Sequence, residues 1–455
     1  MKKITLFKAI LFVISFFIFF LSCKNSGSGN HSTKGNISQG DSSLNPTHGK
    51  VNYNIFIENS GSMDGYLTKQ SMFKDDLIKF ISDIPAYFNI NPSLYFINNK
   101  ACKIPENSTQ SWAYFIQNLN PQNSKLQCPP KDSEIDKVID IATTQIGDDV
   151  NIVISDCIFS KLNVNPAVAE ADLKIFFSKK LATQDVSTIV LKFRSEFTGP
   201  YYVESNLSKP LPVHDINRPY YILLFGKENN LKTLIEKLKL KDYKGFENSY
   251  CLLSGTNKKE IKAAITSYSK EGTFSFEKPA TRLVINDAKP NRENIFQFSI
   301  NVNLSTLGIE ESFLVNPKNY ACNSNFKIVS IEKINPPAEY THIFIVATDD
   351  LKQRDSLSIG LKYDIPQWVK ETGIDIDNNP NDPTQQTQTY GFAHLMLGIS
   401  SAYSAKFGES QFLLPAIKIS RDNYNTYGKN SSFPWWIIIA AVLSVGILIW
   451  LKNKK

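Results

Sequence analysis

Short apolar runs alternate with amphipathic segments in the first half of the chain. Runs rich in β-branched and aromatic residues predict strands at Val51–Ile57, Ser93–Ile97, Asn151–Ser155, Ser187–Phe193 and Tyr220–Phe225. Segments whose apolar residues recur at helical spacing predict helices at Ser71–Phe88, Ser133–Gln145, Ala167–Lys180 and Asn230–Leu240. Because strands that alternate with helices form parallel sheets, we expect an α/β domain over residues 50–245, with a doubly wound, mostly parallel sheet.

The pattern changes after a connecting segment at residues 246–274. From Phe296 to Leu304 every second residue is apolar, as in a strand with one buried face. Further short strands are predicted at Lys327–Ile334, Ile343–Ala347 and Leu357–Tyr363. These runs predict an all-β sandwich domain over residues 275–428. A polar loop at Asp375–Gln388 and a helix-like run at Tyr390–Tyr403 interrupt it. The loop begins like a calcium-binding EF-hand, but Pro380 stands where that loop needs glycine.

The two ends of the chain carry signals for export and membrane attachment. Residues 1–23 combine early lysines with a long apolar run, which predicts a signal peptide. The run ends at Cys23, and this segment resembles the lipobox of bacterial lipoproteins, with Cys23 as the lipidated residue. An uncleaved signal anchor is the alternative. Residues 24–49 are rich in Ser, Gly and Asn, and predict a flexible tether.

An apolar segment with tryptophans at its borders, residues 433–451, predicts a transmembrane helix followed by a cytoplasmic tail, residues 452–455. We therefore expect the protein in the bacterial inner membrane, with its body in the periplasm or outside the cell. Six lysines at the extreme ends account for most of the formal net charge of +7. Since no basic run lies inside the body, the composition argues against a nucleic-acid partner.

Four cysteines of the body can form disulfides in an oxidising compartment. Cys102 and Cys128 flank an irregular segment and can close it as a loop. Cys251 and Cys322 can pair across the junction between the two predicted domains. The spacing of cysteines does not by itself fix which of them pair.

Polar residues follow the predicted strands of the first domain at the points where ligands bind in α/β sheets. Glu58, Ser60 and Ser62 lie at alternate positions after the first strand, and Asp156 ends the apolar strand Asn151–Ser155. Ser133 opens a helix and can add a hydroxyl. Oxygen donors of this kind suit Mg²⁺ or another hard divalent cation. The sequence therefore predicts a metal site at Glu58, Ser60, Ser62, Ser133 and Asp156.

These residues resemble the metal-ion-dependent adhesion site of the von Willebrand factor A domain. That family has an Asp-x-Ser-x-Ser motif on the first loop, a threonine on a second loop and an aspartate on a third. Here Glu58 stands in place of the first aspartate and Ser133 in place of the threonine, while Cys157 occupies a position that is usually glycine. The resemblance covers about residues 50–240 and implies a protein ligand bound through the metal, with a ligand carboxylate completing the site.

Three functions are compatible with this pattern. The first is an exported, membrane-anchored module that is not an enzyme and binds a protein partner through the metal. The second is a metal-free interaction scaffold, in which Glu58 has disabled the metal site. The third is a metal-dependent hydrolase, for which Asp64 and Glu58 are the only candidate bases in the motif region.

Overall fold

The first half of the chain folds around one seven-stranded sheet in the computed structural model. The structure describes residues 51–106, 111–129, 134–144, 146–159, 165–203, 209–254, 261–307, 309, 311–335, 339–379, 381–412 and 414–422. The strands of this sheet are β1 Tyr53–Glu58, β2 Ser93–Ile97, β3 Ala101–Lys103, β4 Val150–Ser155, β5 Ser187–Tyr201, β6 Leu211–Gly226 and β7 Phe246–Leu252. The helices of this half are α1 Asp64–Leu67, α2 Met72–Phe88, α3 Trp112–Gln117, α4 Pro121–Gln127, α5 Ile135–Ala142, α6 Pro166–Thr183 and α7 Glu228–Leu238.

The sheet is mixed, and the prediction of a mostly parallel, doubly wound sheet is wrong. Its strand order is β3-β2-β1-β4-β6-β5-β7. β1 is parallel to both β2 and β4. β3 is antiparallel to β2, β6 is antiparallel to β4, and β5 is antiparallel to both β6 and β7. The apolar pattern of a strand that is buried on both faces does not reveal its direction, which explains the error.

Helices cover both faces of this sheet. Ile55 and Ile57 of β1 belong to a core cluster that includes α2 and α7, whereas Phe56 belongs to a second cluster with α5 and α6. Because neighbouring side chains of a strand point to opposite faces, this division places α2 and α7 on one face and α5 and α6 on the other. The continuous apolar runs of β1 and β4 follow from burial on both sides.

The second half contains helices as well as strands, so the prediction of an all-β sandwich is also wrong. Its strands are β8 Ala263–Glu271, β9 Thr273–Phe276, β10 Val284–Lys289, β11 Phe296–Val302, β12 Tyr320–Cys322, β13 Lys327–Lys333, β14 His342–Thr348, β15 Arg354–Leu357, β16 Ile359–Lys362, β17 Gly373–Ile374, β18 Thr389–Tyr390, β19 Ser410–Phe412 and β20 Ile417–Ser420. The helices are α8 Glu311–Leu314, α9 Gln367–Thr372, α10 Pro383–Gln386 and α11 Phe392–Phe407.

Two four-stranded sheets, β13-β14-β11-β8 and β15-β20-β10-β9, form the larger part of the second half. The predicted alternation in β11 is confirmed, since Phe296, Phe298, Ile300 and Val302 are all fully buried. The ring of Phe274 in β9 contacts the rings of Phe296 and Phe298. Smaller sheets, β12-β16-β19 and β17-β18, complete this half.

Helix α11 packs onto the first half of the chain, against α6 and the seven-stranded sheet. The rings of Phe392 and Tyr221 stack with centroids 4.0 Å apart, and the Tyr403 hydroxyl donates to the Val186 carbonyl at 2.7 Å. Gly398 permits the close approach, because a Cβ there would lie 2.7 Å from the carbonyl oxygen of Glu170 in α6. This helix therefore closes the sheet face that α5 and α6 cover in part.

The predicted transmembrane helix is not supported. Within the described ranges, no helix is long and apolar enough to cross a membrane. The segment for which that helix was predicted, residues 433–451, lies outside the described residues, as do residues 1–49 with the signal peptide, Cys23 and the tether.

Candidate functional site

The loop after β1 carries the first predicted donors. Glu58 is the last residue of β1, and Gly61–Met63 form a 3₁₀ turn that leads directly into α1. The hydroxyl oxygens of Ser60 and Ser62 lie 3.0 Å apart. Ser60 is at the N-cap of the turn, yet its side chain makes no capping hydrogen bond within the described chain. The two hydroxyls therefore face one another and do not serve to start the helix.

Asp156 follows β4 directly and is only 2% exposed. Its Oδ1 accepts a hydrogen bond from the backbone N–H of Ile158 at 3.3 Å. Its Oδ2 is buried and has no hydrogen-bond partner in the described part of the chain. Cys157 has a φ of 53°, a left-handed conformation that glycine adopts most easily. A buried carboxylate oxygen without a partner is costly, and a bound cation or donor would offset that cost.

Glu58 contacts the loop after β4. Its Oε2 accepts a hydrogen bond from the Ser155 hydroxyl, whose oxygen in turn accepts from the backbone N–H of Cys157 at 2.7 Å. The Glu58 side chain is buried. This glutamate therefore links the ends of β1 and β4 and brings negative charge to the site through Ser155.

The opposite wall of the site comes from β5 and β6. The sequence predicted the apolar parts of these strands but did not indicate that they contribute to the site. Arg218 of β6 is 3% exposed, and its guanidinium lies 4.2 Å from the ring centroid of Tyr201 and 5.6 Å from that of Phe197. Burial alone lowers the pKa of Arg218, but the nearby Tyr201 and Tyr66 hydroxyls and Asp156 raise it above its ordinary value. Arg218 thus stays positively charged at every ordinary pH.

A small pocket joins the two walls. Its volume is about 10 Å³, close to the least that holds one water molecule. The residues that line it are Ser62, Ile158, Phe197, Pro200, Tyr201, Tyr202 and Arg218. Beside the pocket, the Tyr201 hydroxyl donates to Asp377 Oδ1 at 2.8 Å. Asp377 lies in the polar loop Asp375–Gln388, so that loop brings a carboxylate to the side of the pocket.

The buried charges of the site are unbalanced. Burial raises the pKa of the Asp156 carboxyl above its ordinary value, although the Ser62 hydroxyl and Arg218 both lower it. Burial likewise raises the pKa of Asp377, against the influence of its hydrogen bond with Tyr201. When ionised, the Asp156 and Asp377 carboxylates outnumber the Arg218 guanidinium among the described groups that surround the pocket. The field beside Asp156 therefore favours an added cation.

A disulfide holds the first loop from the side of β2 and β3. Cys102 of β3 is bonded to Cys128, which follows α4, with their Cα atoms 5.8 Å apart. The Cys128 carbonyl accepts a hydrogen bond from Asn59 Nδ2 at 2.8 Å, and Asn59 Oδ1 accepts another from Asn98 Nδ2 at 3.0 Å. Asn59 stands between Glu58 and Ser60, so the disulfide-closed segment fixes the backbone that presents the donors.

The structure describes only some of the remaining predicted residues. Cys251 and Cys322 are free cysteines in the described structure, so they do not form the second disulfide. Ser133, the predicted donor of the second loop, lies outside the described residues. The site thus brings together Ser60, Ser62 and Asp156, with Glu58 behind them.

These donors suit a hard divalent cation. In the described ranges no group of three or more His, Cys, Asp or Glu side chains is arranged to hold a metal. The candidate set is of another kind, with the two hydroxyls of Ser60 and Ser62 and the unpartnered Asp156 oxygen. Mg²⁺ accepts such oxygen ligands and retains several waters, so a small protein donor set suffices.

Comparison with protein-family models, with curated proteins and with solved structures finds no match to this chain. The resemblance to the von Willebrand factor A domain thus stays a prediction from the sequence of the loops.

Proposed function

We propose that this chain is an exported binding module that holds a divalent cation between the loops after β1 and β4 and thereby binds a protein partner. Ser60, Ser62 and Asp156 would hold the cation, and Glu58 would contribute charge through Ser155. The unpartnered, buried Oδ2 of Asp156 beside the two hydroxyls is the observation that carries the proposal. The resemblance to the von Willebrand factor A domain supports the same function and implies that the partner offers a carboxylate.

Export is supported by the disulfide between Cys102 and Cys128, because such bonds persist in oxidising compartments. Lipidation at Cys23 stays a prediction from the sequence.

The second candidate is a metal-free interaction scaffold. One observation favours it: Arg218 already places a permanent positive charge beside Asp156. In that case the guanidinium takes the electrostatic role of the metal, and binding needs no cation.

Thermal unfolding with and without cations separates the two candidates. A ligand that binds the native state at 100 times its Kd adds about 2.7 kcal/mol of stability. We therefore expect Mg²⁺ and Mn²⁺ to raise the Tm of the protein by several degrees relative to EDTA. Asp156→Asn should abolish the shift, because it removes the only charged donor among the three. Asp172→Asn is the matched control, since Asp172 lies exposed on α6, and it should leave the shift intact.

Identical melting curves in Mg²⁺, Mn²⁺ and EDTA would reject the cation site and favour the scaffold. A shift that persists in Asp156→Asn would place the cation elsewhere on the protein.

A further inference from the structure

Arg218 is a buried charge with one unsatisfied donor, Nη1. It is 3% exposed, its Nη1 has no hydrogen-bond partner, and it forms no ion pair among the described residues. The Tyr201 and Tyr66 hydroxyls interact with the guanidinium, and the Tyr201 and Phe197 rings pack against it, but none of these groups satisfies Nη1. A buried, charged donor without an acceptor destabilises the folded protein. An anion bound at Arg218 and a cation bound at Asp156 would therefore each stabilise the folded protein.

The two unsatisfied atoms belong to side chains that lie close to one another. Asp156 and Arg218 are close enough for each to shift the pKa of the other, yet they form no direct ion pair. Ser62 interacts with Asp156 and also lines the pocket that Arg218 lines. Ser62 and Tyr202 are both partly exposed, so among the described residues the pocket reaches the protein surface.

The walls of the pocket and the geometry of Arg218 indicate the kind of anion. The pocket volume of about 10 Å³ admits a single oxygen atom and no larger group. Ile158, Phe197 and Pro200 form apolar walls that suit the methylene groups next to a carboxylate. Guanidinium and carboxylate form strong, charge-assisted hydrogen bonds with matching planar geometry.

We propose that Arg218 anchors an acidic side chain of the protein partner, with one carboxylate oxygen in this pocket. The inference rests on the proposed function, since it names the chemistry of the partner that the same site takes. It adds that recognition of the carboxylate depends on Arg218 and persists without a cation.

The test uses the purified full-length chain and two blocked tripeptides, acetyl-Gly-Asp-Gly-amide and acetyl-Gly-Asn-Gly-amide, titrated by calorimetry in EDTA. We expect the wild type to bind the acidic peptide about tenfold more tightly, as one charge-assisted contact predicts. Arg218→Met, which keeps the length of the side chain, should reduce this preference to less than about twofold, and Arg218→Lys should retain part of it. Arg194→Met is the control, because Arg194 on β5 already pairs with Glu247.

Failure of this inference is distinguishable from failure of the proposed function. Absence of a cation-induced Tm shift rejects the cation site and leaves the peptide preference in EDTA as a separate result. A wild type that binds both peptides equally in EDTA overturns the role of Arg218, even if Arg218→Met fails to fold. Retention of the full preference in a folded Arg218→Met protein overturns it as well.

Discussion

The parallel and antiparallel parts of the seven-stranded sheet build the site in different ways. From the parallel part, the donors stand on loops that directly follow β1 and β4: Ser60, Ser62 and Asp156. From the antiparallel part, Tyr201 and Arg218 stand within the strands β5 and β6 themselves. The parallel part presents short oxygen-bearing side chains on tight loops. The antiparallel part presents an arginine and aromatic side chains on a pair of hydrogen-bonded strands.

The pairing register explains how the second part reaches the first. Ser155, the last residue of β4, pairs with Tyr221 of β6. Arg218 precedes Tyr221 by three residues. Because β6 is antiparallel to β4, Arg218 therefore lies past the C-terminal end of β4, on the side where Asp156 follows that strand. β5 and β6 are 15 and 16 residues long, whereas β4 has six, so the two long strands extend beyond the end of β4. The site therefore depends on the difference in strand length as much as on the loops.

The largest effect is expected where the two parts touch. Phe197 of β5 is 1% exposed, its ring meets Tyr66 edge-on at 4.9 Å, and a Cβ on Gly65 of α1 would lie 2.3 Å from it. Phe197→Ala should lower the free energy of unfolding by about 3–5 kcal/mol and weaken cation binding, because α1 then loses its support. Urea unfolding measures the first quantity and cation titration the second.

Tyr268→Ala is the control for that change, since this aromatic side chain is 62% exposed, and it should cost no more than about 0.5 kcal/mol. If Phe197→Ala costs equally little, the long strands do not support the loop, and the site would be a property of the parallel part alone.

The next effect concerns the disulfide, which belongs to the parallel side. Cys102 and Cys128 are 26 residues apart, and closing a loop of that length typically contributes about 2–4 kcal/mol. Replacing both with alanine should lower the Tm and weaken cation binding, because the segment that holds Asn59 becomes less constrained. Cys322→Ala, at a free cysteine, should change cation binding little.

A reducing agent supplies an independent check on the disulfide. It should weaken cation binding by the wild type and leave the double variant unchanged. Equal cation binding in oxidised and reduced wild type would show that Asn59 is held without the disulfide.

The sequence located the parallel side of the site well. Strand β4, predicted at Asn151–Ser155, is Val150–Ser155, and helix α2, predicted from Ser71, begins after Ser71 acts as its N-cap. These elements carry strong local signals, namely continuous apolar runs and a capping serine. Once these strands and helices were predicted, the positions of the loops after β1 and β4 were predicted too. Ser60, Ser62 and Asp156 were therefore expected to lie near one another.

The antiparallel side gave no comparable signal. Only the apolar ends of β5 and β6 were predicted, because the extension of β6 from Leu211 to Arg218 mixes apolar and polar residues in equal number and shows no regular alternation. One clue was present: Arg218 directly precedes the run Pro219–Phe225, and a charged residue beside a buried strand often has a specific task. The packing of α11 on α6 depends on Gly398, whose small size matters only once the helices meet.

The smallest expected effect is a pH dependence of stability. It separates the contribution of Asp156, in the parallel part of the sheet, from that of Arg218, in the antiparallel part. Burial raises the pKa of Asp156 above its ordinary value of 3.8, so the native state binds the proton more tightly than the unfolded chain. The stability that this proton contributes is present at low pH and is lost as pH rises through the pKa of the folded state. In EDTA, Asp156→Asn should therefore gain stability relative to the wild type as pH rises from about 4 towards neutrality.

Asp377 and Asp64 also have pKa values raised by burial, and they are present in both proteins, so most of their contribution cancels in the difference. In Mg²⁺ the wild type should recover the lost stability near neutral pH and lose the advantage in acid, where protons compete with the cation for Asp156. Tm measured against pH for both proteins in EDTA and in Mg²⁺ gives four curves. If the wild type and Asp156→Asn run parallel in EDTA, Arg218 already neutralises Asp156 fully, and the antiparallel side alone balances the charge of the site.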